Sequence, residues 1–198
     1  LLFRLYEPAA GVIRVGDVDI RHIAFDDLRA RVGMVTQDVQ LFGASVRDNL
    51  TLFNRAIDDA RIRVVLQAVG MWAWIESLPR GLDTRIGAGG QGLSAGEAQL
   101  LAFGRVFLRA PGLVLLDEAS SRLDPATERL LERAVDQLLA ERTGIIIAHR
   151  LHTVQRADTI MILENGKIVE YGPRVQLATD PSSRLSALLR TGMEEVVA

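Results

Sequence analysis

Leu113-Val114-Leu115-Leu116-Asp117-Glu118 is the stretch that decides how this chain is built. Four apolar residues in a row fit a strand buried on both faces, and such strands belong to parallel sheets covered by helices. The two acids stand where the strand leaves the sheet, and in open α/β sheets ligand sites lie at the carboxyl ends of the strands. A carboxylate there can hold Mg²⁺, often through water, and its neighbour can orient an attacking water. Read by themselves, the same acids serve equally well to solvate the strand end or to cap the next helix.

Downstream, Asp124 and Pro125 suit an N-cap and a first helical residue. The helix they predict carries Leu130, Leu131, Ala134, Val135, Leu138 and Leu139 on one face, a 3.6-residue period. A second buried strand is expected at Gly144 to Ala148, ending at His149, so that strand, helix and strand make a right-handed βαβ unit. Thr159 to Leu163 and Lys167 to Tyr171 flank Asn165-Gly166, a strong type I′ hairpin signal. A short helix near Ser183 to Leu189 closes the chain. Upstream, a helix is expected at Ala95 to Leu108 and a mainly helical stretch from Ser45 to Ser77. A strand at Val32 to Val35, ending on Thr36 and Gln37, follows a short helix at Phe25 to Arg31. Val12 to Val15 and Val18 to Ile20 read as strands about a turn at Gly16-Asp17, and Leu1 to Tyr6 as the last turns of a helix stopped before Pro8. The expected fold is α/β: a mainly parallel sheet flanked by helices, a helical subdomain over roughly 45–111, and a short antiparallel β part.

Ser94-Ala95-Gly96-Glu97 opens the helix at 95. Ser94 and Glu97 fit a capping box, which is a complete structural explanation by itself. A helix N-terminus with free N–H groups, a hydroxyl and a glycine is also suited to phosphate. Gly87, Gly89 and Gly92 match G-x-G-x-x-G, but no apolar strand precedes them, so a dinucleotide fold is rejected. Gln37 and His149 each follow an apolar strand, as Asp117 does. Polar residues at the ends of three buried strands can converge on one edge of a sheet.

Composition narrows the classes. The 198 residues suffice for one sizeable domain, and 48% hydrophobic with 24% charged residues is ordinary for a folded chain. A formal net charge of −2 supplies no basic field for nucleic acid. There is no cysteine, hence no disulfide or thiolate metal site. No apolar run reaches the length of a membrane span, and Leu1 to Pro8 is not a signal peptide. Starting without Met inside an apolar pattern, the chain reads as a fragment.

Gln37, Leu93 to Glu97, Leu113 to Glu118, Ser120 to Asp124 and His149 resemble, in this order, the Q-loop, signature, Walker B, D-loop and H-loop of ATP-binding cassette (ABC) domains. The resemblance covers nearly the whole chain. Leu41 to Leu50 and Leu78 to Gly87 look like segments of exporter-type members, in which the cassette usually follows its membrane domain on the same polypeptide. The resemblance implies a P-loop NTPase-like fold and ATP hydrolysis coupled to transport, with ATP and Mg²⁺ as ligands and a place at the cytoplasmic face of the cell membrane. It implies that Asp117 helps hold Mg²⁺ and that Glu118 is the general base or water-orienting residue. It further implies that His149 contacts the γ-phosphate, and that Gln37 senses Mg²⁺ and the γ-phosphate for the membrane domain. Ser94 and Gly96 would bind the γ-phosphate of ATP held on the opposite subunit of a head-to-tail dimer, with Asp124 at that interface. Residues 38–49 and 84–90 would face the membrane domain, and no nucleic-acid partner is expected.

The sequence departs from the family in three places. Ala95 and Glu97 stand where the signature usually has glycine and glutamine, and a carboxylate near phosphate is unfavourable unless it is turned away or satisfied as a cap. Ala88 stands where exporters commonly have glutamate. No G-x-x-x-x-G-K-[ST] is present, and the only lysine, Lys167, falls in the hairpin. The P-loop is therefore expected to lie before Leu1, and the chain alone to turn over no ATP. Two rivals remain. A DNA-repair type of cassette ATPase would put a coiled coil or zinc module between Gln37 and Ser94, an interval that is short here. A non-catalytic, regulatory cassette is disfavoured by Glu118 and His149, and kept open by the altered signature.

Overall fold

The computed structural model describes residues 1–36, 38–90, 92–117, 124–148 and 151–191. Internal contacts divide the chain into two units, Leu1–Ile145 and Ile146–Ala198.

The first unit begins without the expected helix. Leu1 to Tyr6 forms turns, with Arg4 in the left-handed region at φ 48°. The Arg4 guanidinium donates to the carbonyls of Ile20 and Ile23 at 3.0 and 2.9 Å and lies 4.2 Å from the Phe25 ring centroid. These bonds to residues far along the chain hold the segment in place of a helical ladder. Strands β1 (Arg14–Val15) and β2 (Val18–Asp19) pair antiparallel about Gly16. They are shorter than expected, because the Asp19 carboxylate accepts from the Arg21 N–H and starts a 3₁₀ turn at Ile20–His22. Helix α1 (Phe25–Arg31) leads directly into strand β3 (Val32–Val35).

Four helices separate β3 from its partner: α2 (Val46–Thr51), α3 (Asp59–Ala68), α4 (Trp72–Ser77) and α5 (Ala95–Arg109). Of these α5 is the central one, burying Leu100, Leu101, Phe103, Val106 and Leu108. At Gly104 an added Cβ would stand 2.8 Å from Leu50 of α2 and 3.8 Å from Val65 of α3. Glycine is what allows these three helices so close an approach.

Strand β4 (Leu113–Asp117) pairs parallel with β3, Val32 opposite Leu113 and Val35 opposite Leu116. Period-two alternation divides its side chains between two faces. On one, Leu113 and Leu115 join Ile20, Leu28 and Val32 in a core shared with β1 and α1. On the other, Val114 and Leu116 are buried, and Gly33 of β3 is so close to α5 that a Cβ would meet Val106 and Pro111, both at 2.7 Å. Strands β3 and β4 are thus covered on both faces, as their apolar residues require. Helix α6 (Pro125–Leu139) buries Leu131, Ala134 and Leu138, as its period predicts.

Strand β5 (Thr143–Ile147) completes the sheet in the order β3-β4-β5. It is less buried than expected, with Ile145 44% and Ile147 53% exposed. Edge position alone is not the reason, since β3 is the other edge of the sheet and is buried; the two differ in what packs on them, which an apolar run does not show.

In the second unit, after α7 (Leu151–Val154), strands β6 (Thr159–Glu164) and β7 (Lys167–Pro173) form an antiparallel hairpin. Its turn residues Asn165 and Gly166 both have positive φ, 48° and 75°, the type I′ requirement. Helices α8 (Arg174–Thr179) and α9 (Arg184–Thr191) follow. Glu170 of β7 fixes the start of α9, its carboxylate accepting from the Arg184 and Leu185 N–H groups, both at 2.9 Å, and from the Ser183 hydroxyl at 3.0 Å. The chain is an α/β protein with a parallel sheet, flanking helices and short antiparallel ribbons.

Candidate functional site

The buried strand β4 delivers Asp117 to its carboxyl end, half-buried. Among the described residues Asp117 makes no hydrogen bond or ion pair. The register of Val35 with Leu116 sets the end of β3 beside Asp117. The residues expected to complete this edge, Gln37, Glu118 and His149, lie outside the described residues. Among the described residues no group of three or more acids or histidines is placed to hold a metal. A single carboxylate is nonetheless an ordinary protein contribution to Mg²⁺, which keeps most of its waters or takes phosphate oxygens.

Ser94 is exposed and Gly96 buried at the start of α5. The capping box is complete, the Glu97 N–H donating to the Ser94 hydroxyl at 3.2 Å and the Ser94 N–H to the Glu97 carboxylate at 2.7 Å. Glu97 is therefore engaged with its own helix end, which meets the condition for a carboxylate beside an anion site. No hydrogen bond among the described residues links Ser94 or Gly96 to Asp117. It is Val106, near the opposite end of α5, that reaches the sheet at Gly33. Ten residues of helix between Gly96 and Val106 span about 15 Å.

Asp124 is the N-cap of α6 and accepts from the N–H groups of Ala126 and Thr127, both at 3.0 Å, and from the Thr127 hydroxyl at 2.6 Å. The Thr127 hydroxyl, then the Thr127 N–H, hold its carboxyl below the usual carboxylate range.

One buried polar cluster was not foreseen. Asn49, fully buried in α2, accepts from the Phe42 N–H at 2.8 Å and donates to the carbonyls of Phe42 and Ser45 at 3.0 and 3.1 Å. Arg105 of α5 reaches across to donate to the Asn49 carbonyl at 2.8 Å, the Asn49 side-chain oxygen at 3.2 Å and the Gln40 carbonyl at 2.8 Å. Burial, then the charge of Arg109, shifts the Arg105 guanidinium downward. This cluster ties the chain just after Gln37 to the helix that begins at Ser94. The only hint in the sequence is a polar residue among the apolar positions of α2.

The segments 38–49 and 84–90 are brought together. The Val46 N–H donates to the Thr84 carbonyl at 3.0 Å, Ile86 to Ala44 at 2.8 Å, and Gly89 to Leu41 at 3.1 Å. Among the described residues no helix is long and apolar enough to cross a membrane.

The family described as ABC transporter matches residues 1–121. The ABC transporter B family member 21 of Arabidopsis thaliana is 36% identical over 190 residues, 96% of this chain and 15% of its own length. The ATP-dependent lipid A-core flippase of Neisseria meningitidis is 41% identical over 177 residues, 89% of this chain and 28% of its own. Among solved structures, a bacterial Atm1-family ABC exporter with ATP bound superimposes with a TM-score of 0.86 at 33% identity, over 96% of this chain and 33% of that one. The chain thus spans a third or less of the length of these relatives.

Proposed function

The chain belongs to the ABC transporter family, and we propose that it forms the greater part of the ATP-hydrolysing domain of an exporter at the cytoplasmic face of a membrane. The observation that carries this reading is the ordered run of Gln37, Ser94 to Glu97, Asp117-Glu118, Asp124 and His149, in a chain similar to a flippase and to an exporter solved with ATP bound.

In this reading Asp117 holds Mg²⁺, a hard cation suited to a carboxylate at a strand end with no other partner among the described residues. The bound ion neutralises charge developing on the phosphates. Glu118 orients or deprotonates the attacking water, and His149 holds the γ-phosphate in place. Gln37 reports nucleotide to the membrane domain. Ser94 and Gly96 serve ATP bound to a second cassette in a head-to-tail dimer, a role that suits their distance along α5 from the sheet. Asp124 lies at that dimer interface. The helices within 45–111 act as the subdomain that carries Ser94, and 38–49 with 84–90 face the membrane domain. The 198 residues alone, without a G-x-x-x-x-G-K-[ST] loop, bind MgATP weakly and do not turn it over.

The test is MgATPase activity of a form extended upstream with its native sequence, beside the same form with Glu118→Gln. The expected result is turnover in the first and, in the second, dimers stabilised by ATP with a rate lower by about 10²- to 10⁴-fold. If both are silent and monomeric with ATP, a regulatory cassette replaces this reading. The observation favouring that second reading is the altered Ala95 and the engagement of Glu97 with the Ser94 N–H.

A further inference from the structure

Each nitrogen of the Arg105 guanidinium has its own acceptor. Nε donates to the Asn49 carbonyl at 2.8 Å, Nη2 to the Asn49 side-chain oxygen at 3.2 Å, and Nη1 to the Gln40 carbonyl at 2.8 Å. One planar fork therefore grips both α2 and the loop that precedes it. Asn49 carries the grip further, since its amide bonds to Phe42 and to Ser45.

The loop held in this way begins directly after Gln37. Gln40 is three residues beyond it, a tether of at most about 11 Å. The Thr36 hydroxyl donates to the Asp38 carbonyl at 2.9 Å, which links the residues before and after Gln37. Val106, next to Arg105, bears on Gly33 of β3, where an added Cβ would stand 2.7 Å from it. Arg105 thus sits where α5 meets both β3 and the chain leaving that strand. Because α5 is one unbroken helix, Ala95–Arg109, a shift at Arg105 is carried to Ser94, about 16 Å away.

Packing alone would be met at lower cost by an apolar side chain. Arg105 is instead half-buried, meets no carboxylate among the described residues, and has the like charge of Arg109 one turn on. What distinguishes it is the fork, which fixes distance and angle to three acceptors at once.

On the reading of the chain as an exporter cassette, we infer that Arg105 is a positioning residue that keeps Gln37, at one nucleotide, in register with Ser94 and Gly96, which serve the other. It touches no nucleotide itself. A displacement at the end of β3 reaches α5 through the Gln40 carbonyl and the Arg105 fork. Without the fork each site still holds its ligand, but the two are no longer aligned together.

The experiment measures MgATPase kcat and KM of the intact transporter in its membrane, below the unfolding midpoint of every variant, with that midpoint measured alongside. Arg105→Gln keeps a polar side chain but loses the fork. It is expected to lower kcat about tenfold or more with KM within about twofold, as misplacement of a site does. Arg105→Lys, which can satisfy one acceptor, recovers part of kcat. In a Gln37→Ala background, Arg105→Gln lowers kcat by less than about twofold, because both residues act along one path. Losses that multiply in the double variant overturn the positioning role and leave the exporter reading standing. So does a parent-like kcat in Arg105→Gln when only the unfolding midpoint falls. No MgATPase in the parent transporter overturns both.

Discussion

Arg105 and Glu170, both half-buried, do the same mechanical job in the two units, with different partners. Each side chain ties together parts of the chain that are distant in sequence by bonding to backbone groups. Arg105 does so by donating to the carbonyls of Gln40 and Asn49, beside an Asn49 side chain that is fully buried. Glu170 does so half in water, at the first turn of α9. The difference teaches where a polar anchor is indispensable. When Arg105 is removed, the exposed Gln40 carbonyl turns to water, whereas the groups of the buried Asn49 reach it less and carry most of the desolvation cost. When Glu170 is removed, solvent replaces it.

The sharpest test of this contrast is Arg105→Ala, expected to destabilise the first unit by about 2 kcal/mol, read by denaturant or thermal unfolding. Arg105→Lys should recover only part of the loss, because an ammonium cannot reproduce the guanidinium fork. Glu170→Ala is expected to cost only about 1 kcal/mol, the ordinary value of a helix cap. Equal losses at the two positions would break the comparison.

Acid sharpens it further. Desolvation pushes the Glu170 carboxyl up, but the Leu185 and Arg184 N–H groups and the Ser183 hydroxyl outweigh it and leave the group below its ordinary 4.5. Because the folded value is the lower one, this stabilisation is complete above 4.5 and is lost as pH falls through the folded value. The stabilities of the parent and of Glu170→Gln should therefore converge as pH falls through that window, in unfolding curves taken at stepped pH. A gap that stays constant from neutral to acid would deny Glu170 its role. The smallest effect is expected at Ser94→Ala, about 0.5–1 kcal/mol, since this cap is exposed and one of its two reciprocal bonds survives.

What could be read from the sequence was whatever is written locally. The apolar period of α6, the Asp124-Pro125 start, the Ser94–Glu97 box and the Asn165-Gly166 turn each depend on residues within a turn or two of one another, and all four are in the structure as expected. What was not legible depends on distance. Arg105 bonds backbone 56 and 65 positions away, and a carbonyl acceptor leaves no trace in the choice of residue. The turns at Leu1 to Tyr6 read as helix in the sequence for the same reason, since Arg4 finds its partners 16 and 19 residues on. The exposure of β5 is not legible because Ile145 to Ile147 spell the same apolar run whether or not another layer packs on the strand. Of the candidate site, Asp117, Ser94, Gly96 and Asp124 stand where their elements were expected to begin or end. The convergence expected of Gln37, Glu118 and His149 falls outside the described residues.

In the proposed reading of Ser94 and Gly96 as phosphate-binding residues, the closed box at the head of α5 bears on how tightly the anion is held. Its first turn is shaped by Ser94 and Glu97 alone, so an arriving phosphate has no loop to order and loses little conformational entropy on contact. The same closure removes the Ser94 N–H from the set of donors an anion could use, and keeps a negative charge within a turn of the site. Preorganisation and repulsion therefore act together here.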